Sequence, residues 1–418
     1  MTNKINLSVD QQEALKAIKK WIKTKERFFL LQGFAGTGKT FLTKLIAQSN
    51  IPNLYFSATT NKASKVLENN LGVSVKTIYS LLGLKMEERE DRLVLTKSDK
   101  PIYFPKGSII VVDEASMVGR ELLNVIISMP AIRVIFVGDP AQLPPVNEIS
   151  SPAWKTIDKE SNRAILRTVM RNDNELLNMA TEIRACLREK NYISPIRQDV
   201  SAEGDGVFLF DSKREFEDHL LSKIRSVNFN ETKVIAWRND TVNYYNTIIR
   251  RKLLFTQKYE AGDIILIGKP VVRNDEFIAH TDDEYIVEEA TNENYVVIDD
   301  IHDIEYWELY VKNNNQEIIL KVPVDQDALN VLLSRKAIEA KNVSKGGKRA
   351  AWKEFWDLKN YLDEVRYGYA LTAHRAQGST ITECYIDQQD ILCNHKSQEA
   401  FQCLYVAATR PTKRIYTF

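Results

Sequence analysis

Cysteine is scarce in this chain of 418 residues: there are four, Cys186, Cys384, Cys393 and Cys403, with no C-x-x-C pair among them. That speaks against a disulfide-stapled scaffold and fits a reducing compartment. Cys384, Cys393, His395 and Cys403 have the residue types of a zinc site but not its paired spacing, so no structural zinc is expected. Long apolar runs are also missing. No stretch nears the roughly 20 residues needed to cross a bilayer, and the start, MTNKINLSVDQQEALKAIKKW, lacks the apolar core of a signal peptide. A cytoplasmic protein with no membrane partner is expected. Net charge is almost absent as well, 57 Lys and Arg against 56 Asp and Glu. This balance neither attracts nor repels a polyanion at long range, so nucleic-acid binding would have to rest on a local groove. What is present, 44% hydrophobic and 27% charged residues, describes a globular chain long enough for roughly two to four modules.

The first third alternates strand-like and helix-like patterns. RFFLLQG (27–33), NLYFSA, GSIIVVDEAS and IRVIFVGDP are apolar runs ending at polar, Gly or Pro turns, and TFLTKLIAQ (40–48) has helical spacing. Near-continuous apolar strands alternating with helices predict a buried parallel sheet, whose ligand site lies beyond the strands' carboxyl ends. LKMEEREDRLVLTKSDKPIYFPKG (84–107) breaks the pattern and reads either as a hairpin excursion or as a solvated loop. A second α/β pattern runs from about 175, through NELLNMATEIRACLRE, TKVIAWRND and VNYYNTIIRRKLL. Five short strand-like runs between 256 and 324, GDIILIG, EYIVEEA, NYVVIDD, EYWELYV and EIILKVP, predict a small β-barrel. Residues 327–366 turn helical and basic, and α/β character resumes at YGYALTAHRAQG.

Gly33-Phe34-Ala35-Gly36-Thr37-Gly38-Lys39-Thr40 is a full G-x-x-x-x-G-K-T loop between strand and helix. Its glycines allow backbone N–H groups to converge on phosphates at a helix start. Lys39 would neutralise the β and γ phosphates of ATP, and Thr40 would ligate Mg²⁺. Asp113 and Glu114 follow the strand SIIVV: Asp113 suits the Mg²⁺ shell, and Glu114 the orientation or deprotonation of an attacking water. Gln142, in Gly138-Asp139-Pro140-Ala141-Gln142-Leu143-Pro144-Pro145, is placed to sense the γ-phosphate.

These motifs resemble superfamily 1 helicases, within them the RecD-like group that includes the Dda helicases of tailed bacteriophages. The resemblance spans nearly the whole chain, in the family's motif order. It implies two RecA-like P-loop domains with parallel sheets. Residues 1–83 and 108–174 would form domain 1A, with a strand-separating pin (1B) at 84–107. Residues 175–255 and 367–418 would form domain 2A, and 256–366 domain 2B, an SH3-like barrel with a helical extension. Leu7 to Gln11 is similar to the adenine-reading Q motif, with Gln11 as reader. Motif I supplies Gly33, Gly36, Thr37, Gly38, Lys39 and Thr40. Ser57 to Ala63 is similar to motif Ia, which implies DNA contacts by Thr59, Thr60 and Asn61, and Leu371 to Thr380 to motif V, with Thr372 and His374 facing DNA. Leu166 to Arg171 and Leu404 to Arg410 resemble motifs IV and VI, making Arg171 and Arg410 arginine fingers; from the residues alone, a surface salt bridge is the favoured reading of each. Tyr79 and Asn61 stand where relatives carry histidine, and Pro411 where Ala or Gly is usual.

The implied activity is ATP-driven movement along single-stranded DNA, 5′→3′, with unwinding of forked duplex in a bacterial host cytoplasm if phage-encoded. Replication or recombination proteins are the further candidate partners. A translocase that strips proteins without unwinding, and a nucleotide-switched DNA clamp, are the alternatives. Residues 335–353, rich in Lys and Arg and leading into Trp352 and Trp356, fit either a DNA groove with aromatic platforms or a charged linker before a core-packed aromatic pair.

Overall fold

The computed structural model describes residues 7–89, 92–97, 102–145, 147–157, 159–168, 175–224, 231–273, 276–299, 302–344 and 346–418. Two six-stranded sheets organise it. The first runs Val75–Thr77, Leu54–Ala58, Ser108–Asp113, Ile132–Gly138, Phe28–Gly33, Arg163–Leu166, with every neighbouring pair parallel. Its strands are apolar throughout because both faces are covered. Phe29, Leu31, Ile109, Val111, Ile135 and Val137 point into one core, while Leu30, Ile110, Val112, Val134 and Phe136 point into the other.

The second sheet runs Ala370–Thr372, Thr232–Ala236, Ile381–Ile386, Pro411–Thr417, Gly206–Leu209, Asp199–Val200. All its pairs are parallel except the last. It too is buried on both faces, with Ile235, Ile386 and Ile415 on one side and Val234, Tyr385 and Tyr416 on the other. Pro411 is accommodated as the first residue of its strand, where a missing N–H is tolerated.

The region of five expected short strands is built differently. EYIVEEA and NYVVIDD are a single strand, Glu284–Asp299, paired with His302–Lys312. The polar stretch between the two runs reads as a turn, but register shifts absorb it within the ladder. With Ile264–Ile267, Glu317–Pro323 and Val365–Tyr367 these strands form a five-stranded antiparallel sheet. Its outer strands approach at one point, where the Asp363 N–H donates to the Lys321 carbonyl (2.6 Å) and the Lys321 N–H to the Asp363 carboxylate (2.9 Å).

Next to this sheet, the helices Gln326–Asn342 and Lys348–Tyr361 form a hairpin. Trp352, Phe355 and Trp356 are buried against Ala340, so the aromatic pair is core and is not available as a base-stacking platform. Leu84–Arg89 and Arg92–Lys97 form a two-stranded antiparallel ribbon. Leu84 and the half-buried Leu95 anchor its base on the core that contains Phe104.

Candidate active site in the cleft between the two sheets

The strand Phe28–Gly33 runs into a turn that ends where the helix Lys39–Ala47 begins. The turn needs left-handed backbone at Gly36 (φ 74°) and Gly38 (φ 78°), which glycine adopts without a Cβ penalty. At Gly38 space is short as well, since a Cβ would lie 2.6 Å from the Gln11 amide nitrogen. Gln11 braces the loop from beneath. Its Nε2 donates to the Thr37 carbonyl (3.0 Å) and its Oε1 accepts from the Ser8 N–H (3.2 Å), within the capping box that starts the helix Val9–Ile22. Expected to read adenine, Gln11 is buried here with both ends of its amide engaged. Its neighbour Asp10 accepts from the backbone N–H groups of Arg167 (2.5 Å) and Thr168 (2.7 Å). Burial raises its pKa, but hydrogen bonds from Ser8, Thr168, Arg167 and Gln11 outweigh that and hold it below the usual carboxylate range. Asp10 thus fixes the entry to the segment holding Arg171, which itself lies outside the described residues.

Lys39 Nζ donates to the carbonyls of Gly33 (2.9 Å) and Phe34 (2.8 Å), holding its charge across the turn. Thr37 is buried and donates to the Phe34 carbonyl (2.8 Å). Beside the loop the strand Ser108–Asp113 ends in two acids. Glu114 adopts left-handed backbone (φ 52°, ψ 42°), a conformation that costs a non-glycine residue about 1–2 kcal/mol and is concentrated at functional sites. Burial first, and then the adjacent Glu114 carboxylate, push the Asp113 pKa up to about 7 against the opposing pull of Lys39. Two adjacent acids, next to a glycine-lined turn and the Thr40 side chain, are a donor set suited to a hard divalent cation such as Mg²⁺.

These groups line one cavity of about 490 Å³. The first sheet unit contributes Gly36, Gly38, Lys39, Thr40, Asp113, Glu114 and Gln142, while Gly378, Ser379, Thr380 and Arg410 close it from the second. Gly33, Thr37 and Gln11 lie behind this lining. Arg410 is buried, its guanidinium donating to the carbonyls of Val406 (3.1 Å) and Ser379 (3.2 Å) and to the Thr409 hydroxyl (2.8 Å). Its charge is therefore held at the cavity wall by the second unit.

Several residues that the motif reading left without a role join the two units. Gln377 donates to the Ser116 hydroxyl (3.2 Å) and to the Gln142 side-chain oxygen (3.4 Å), and Gln402 donates to the Gln142 carbonyl (3.2 Å). Leu143 is buried in the second unit's core, a contact worth about 1.5–3 kcal/mol by apolar burial. Gln377 and Leu143 sit inside motif stretches, but no spacing rule marks them, because their partners lie across a cleft.

Among the DNA candidates, the Thr60 and Thr372 hydroxyls cap the helices Asn61–Leu71 and Ala373–Ala376, accepting from Ala63 (3.2 Å) and Arg375 (3.3 Å) backbone N–H groups. Thr59 is buried and donates to the Glu114 carbonyl (3.4 Å). Asn61 is half-buried, and His374 is exposed, 4.0 Å from Glu399. A turn of the five-stranded sheet reaches the two helices and the second sheet: Asp283 pairs with Lys65 (2.8 Å), Asp282 with Arg375, and Glu284 with the buried Lys233 of the strand Thr232–Ala236 (2.7 Å). Among the described residues no helix is long and apolar enough to cross a membrane.

Residues 6–190 match the model of an AAA domain, and residues 367–416 that of a UvrD-like helicase C-terminal domain. The chain is 28% identical to the ATP-dependent DNA helicase Dda of Enterobacteria phage T4, over 97% of both chains. It is also 28% identical to an uncharacterised protein of Acanthamoeba polyphaga mimivirus, over 93% of this chain and 94% of that one. An ATP-dependent DNA helicase Pif1 from Bdellovibrio bacteriovorus is 26% identical over 56% of each. In fold, the chain matches a Bacteroides Pif1 helicase crystallised with ADP-AlF3 and single-stranded DNA, with TM-score 0.50 and 17% identity over 99% of this chain and 92% of that one. With both sheet units matched in one chain and the phage enzyme aligned almost end to end, the chain is similar along its whole length to the superfamily 1 helicases of the Dda-like group.

Proposed function

We propose that the protein hydrolyses Mg²⁺-ATP in the cleft between its two sheet units and uses the cycle to move along single-stranded DNA, 5′→3′, and unwind forked duplex. The observation that carries this reading is the two-sided cavity. Lys39, Asp113 and Glu114 come from one unit and Arg410 from the other, so a nucleotide bound there draws both together and its hydrolysis lets them part. The units, with the boundaries expected above, act as domains 1A and 2A.

Lys39 holds the β and γ phosphates. Thr40 and Asp113 hold the Mg²⁺, which when bound neutralises charge developing between those phosphates. Glu114, fixed by its left-handed backbone, orients the attacking water and accepts its proton. Gln142, tied to Gln377 of the second unit, transmits loss of the γ-phosphate across the cleft. Arg410, with Arg171 as its partner, balances transition-state charge. DNA runs over Thr59, Thr60, Asn61, Thr372 and His374, at the N-terminal ends of the two helices that the acidic turn at 282–284 bridges. Gln11 serves the adenine end of the site through its brace on the loop.

The ribbon Leu84–Arg89/Arg92–Lys97 serves as the pin, and the five-stranded sheet with its helical hairpin as domain 2B. Opening a base-pair step costs about 1.4 kcal/mol, so a rigid wedge need only bias fraying while the motor does the work. Replacing residues 88–93 by Gly-Gly shortens the ribbon and keeps Leu84 and Leu95 in their core. DNA-stimulated hydrolysis is expected to stay near the parental rate, while unwinding falls at least about tenfold, the scale of losing one step's worth of bias. Unwinding at the parental rate would show that the ribbon is a surface loop.

A further inference from the structure

The phosphate loop is touched directly by the second sheet unit at Phe34 and Ala35. The Tyr405 side chain, buried on the helix Ser397–Ala408, accepts a hydrogen bond from the Ala35 backbone N–H (3.2 Å) and donates one to the Asp139 carboxylate (2.6 Å). Asp139 is itself fully buried. Its other oxygen accepts from the Ala141 N–H (3.0 Å) and from Arg184 (3.2 Å), on the helix Glu175–Glu189. The Arg184 guanidinium lies 3.4 Å from the centroid of the Phe34 ring. Two helices of the second unit therefore grip adjacent residues of the loop, and both contacts pass through one carboxylate of the Gly138-Asp139-Pro140 turn.

The chain of bonds has a direction. The Ala35 N–H can only donate, so the hydroxyl oxygen accepts from it and directs its own proton to Asp139. Burial, reinforced by Asp139, holds the Tyr405 pKa far above the working range, so the proton stays on the hydroxyl. Tyr405 lies in the last turn of this helix and Arg410 just beyond its Thr409 cap, bonded back to Val406. Wherever Tyr405 seats that helix on the loop, Arg410 follows.

We infer that Tyr405 is a positioning residue for ATP hydrolysis: its hydroxyl, oriented by Asp139, seats the helix that leads into Arg410 on the phosphate loop so that the arginine reaches the γ-phosphate side of the cleft. This rests on the hydrolysis reading above, and its effect is on turnover and not on nucleotide binding, because Tyr405 does not line the cavity.

The test compares the intact parent, Tyr405→Phe and Asp139→Asn with saturating oligo-dT, measuring kcat and KM for ATP, affinity for a fluorescent ATP analogue, and thermal midpoint. Tyr405→Phe removes one oxygen and leaves the partly buried Ala35 N–H and a buried carboxylate short of a partner. Its kcat is expected to fall about tenfold to a hundredfold, with KM and analogue affinity within about threefold of the parent. Asp139→Asn is expected to show the same split more weakly. In the double variant the two losses should not multiply, because the groups act as one unit. An unchanged kcat, or a collapse of kcat, binding and thermal midpoint together, would overturn the assignment. Should Tyr405→Phe fail to fold, Asp139→Asn decides by the same split. A parent without Lys39-dependent hydrolysis would instead remove the reading on which the inference stands.

Discussion

Arg410→Ala is expected to slow DNA-stimulated ATP hydrolysis by about 10³–10⁵-fold, the range found when an arginine finger is lost. The guanidinium is buried at the cavity wall and held by Val406, Ser379 and Thr409, all of its own unit. Its removal takes charge from the cleft and breaks its hydrogen bonds to Val406, Ser379 and Thr409, so some loss of thermal stability should accompany the kinetic effect. Affinity for a fluorescent ATP analogue should change far less than the rate, since Lys39 and the loop remain. A variant that turns over normally but melts early would show that Arg410 only staples motif VI to the strand beside Ser379.

Glu114→Gln is expected to lower hydrolysis by about 10²–10⁴-fold, the scale of removing a general base, while Mg²⁺-ATP still binds. The amide has nearly the same shape and keeps the left-handed backbone at 114, so the turn should not rearrange. It also removes the carboxylate that helps to raise the Asp113 pKa, so cation binding should hold or improve. Analogue titration alongside single-turnover hydrolysis separates the two effects. If affinity collapsed with the rate, Glu114 would be holding the nucleotide and not directing water.

Both effects depend on features that differ in how readable they were. The parallel sheets were legible because strands buried on both faces read as unbroken apolar runs, as in SIIVV and RVIFVG. The edge strand Arg163–Leu166 was not, since four residues on a sheet margin carry no clear period. The Glu284–Asp299 strand hid behind a polar middle that looks like a turn. Trp352 and Trp356 were ambiguous because a helical aromatic pair packs as well against Ala340 as against a base, and only the neighbouring helix decides.

The loop residues and the two acids could be placed in the cleft from sequence, because each stands where a strand ends and the local backbone alone dictates its position. Tyr405 and Asp139 could not. They meet across 266 residues, and a pattern that repeats within one helix or strand holds no information about a partner on another. Gln11 shows a related limit: its place under the loop follows from the capping box at Ser8, but the engagement of its amide with Thr37 becomes visible only once the loop's conformation is known.

Strand separation on a forked duplex tests the central claim most directly. The intact protein, given ATP and Mg²⁺, should release single strands from a fork bearing a 5′ single-stranded tail, with hydrolysis rising as DNA is added. Lys39→Ala, or a non-hydrolysable analogue with the parent protein, should release none. Release without hydrolysis, or the same rate in Lys39→Ala, would contradict an ATP-driven motor seated in this cleft.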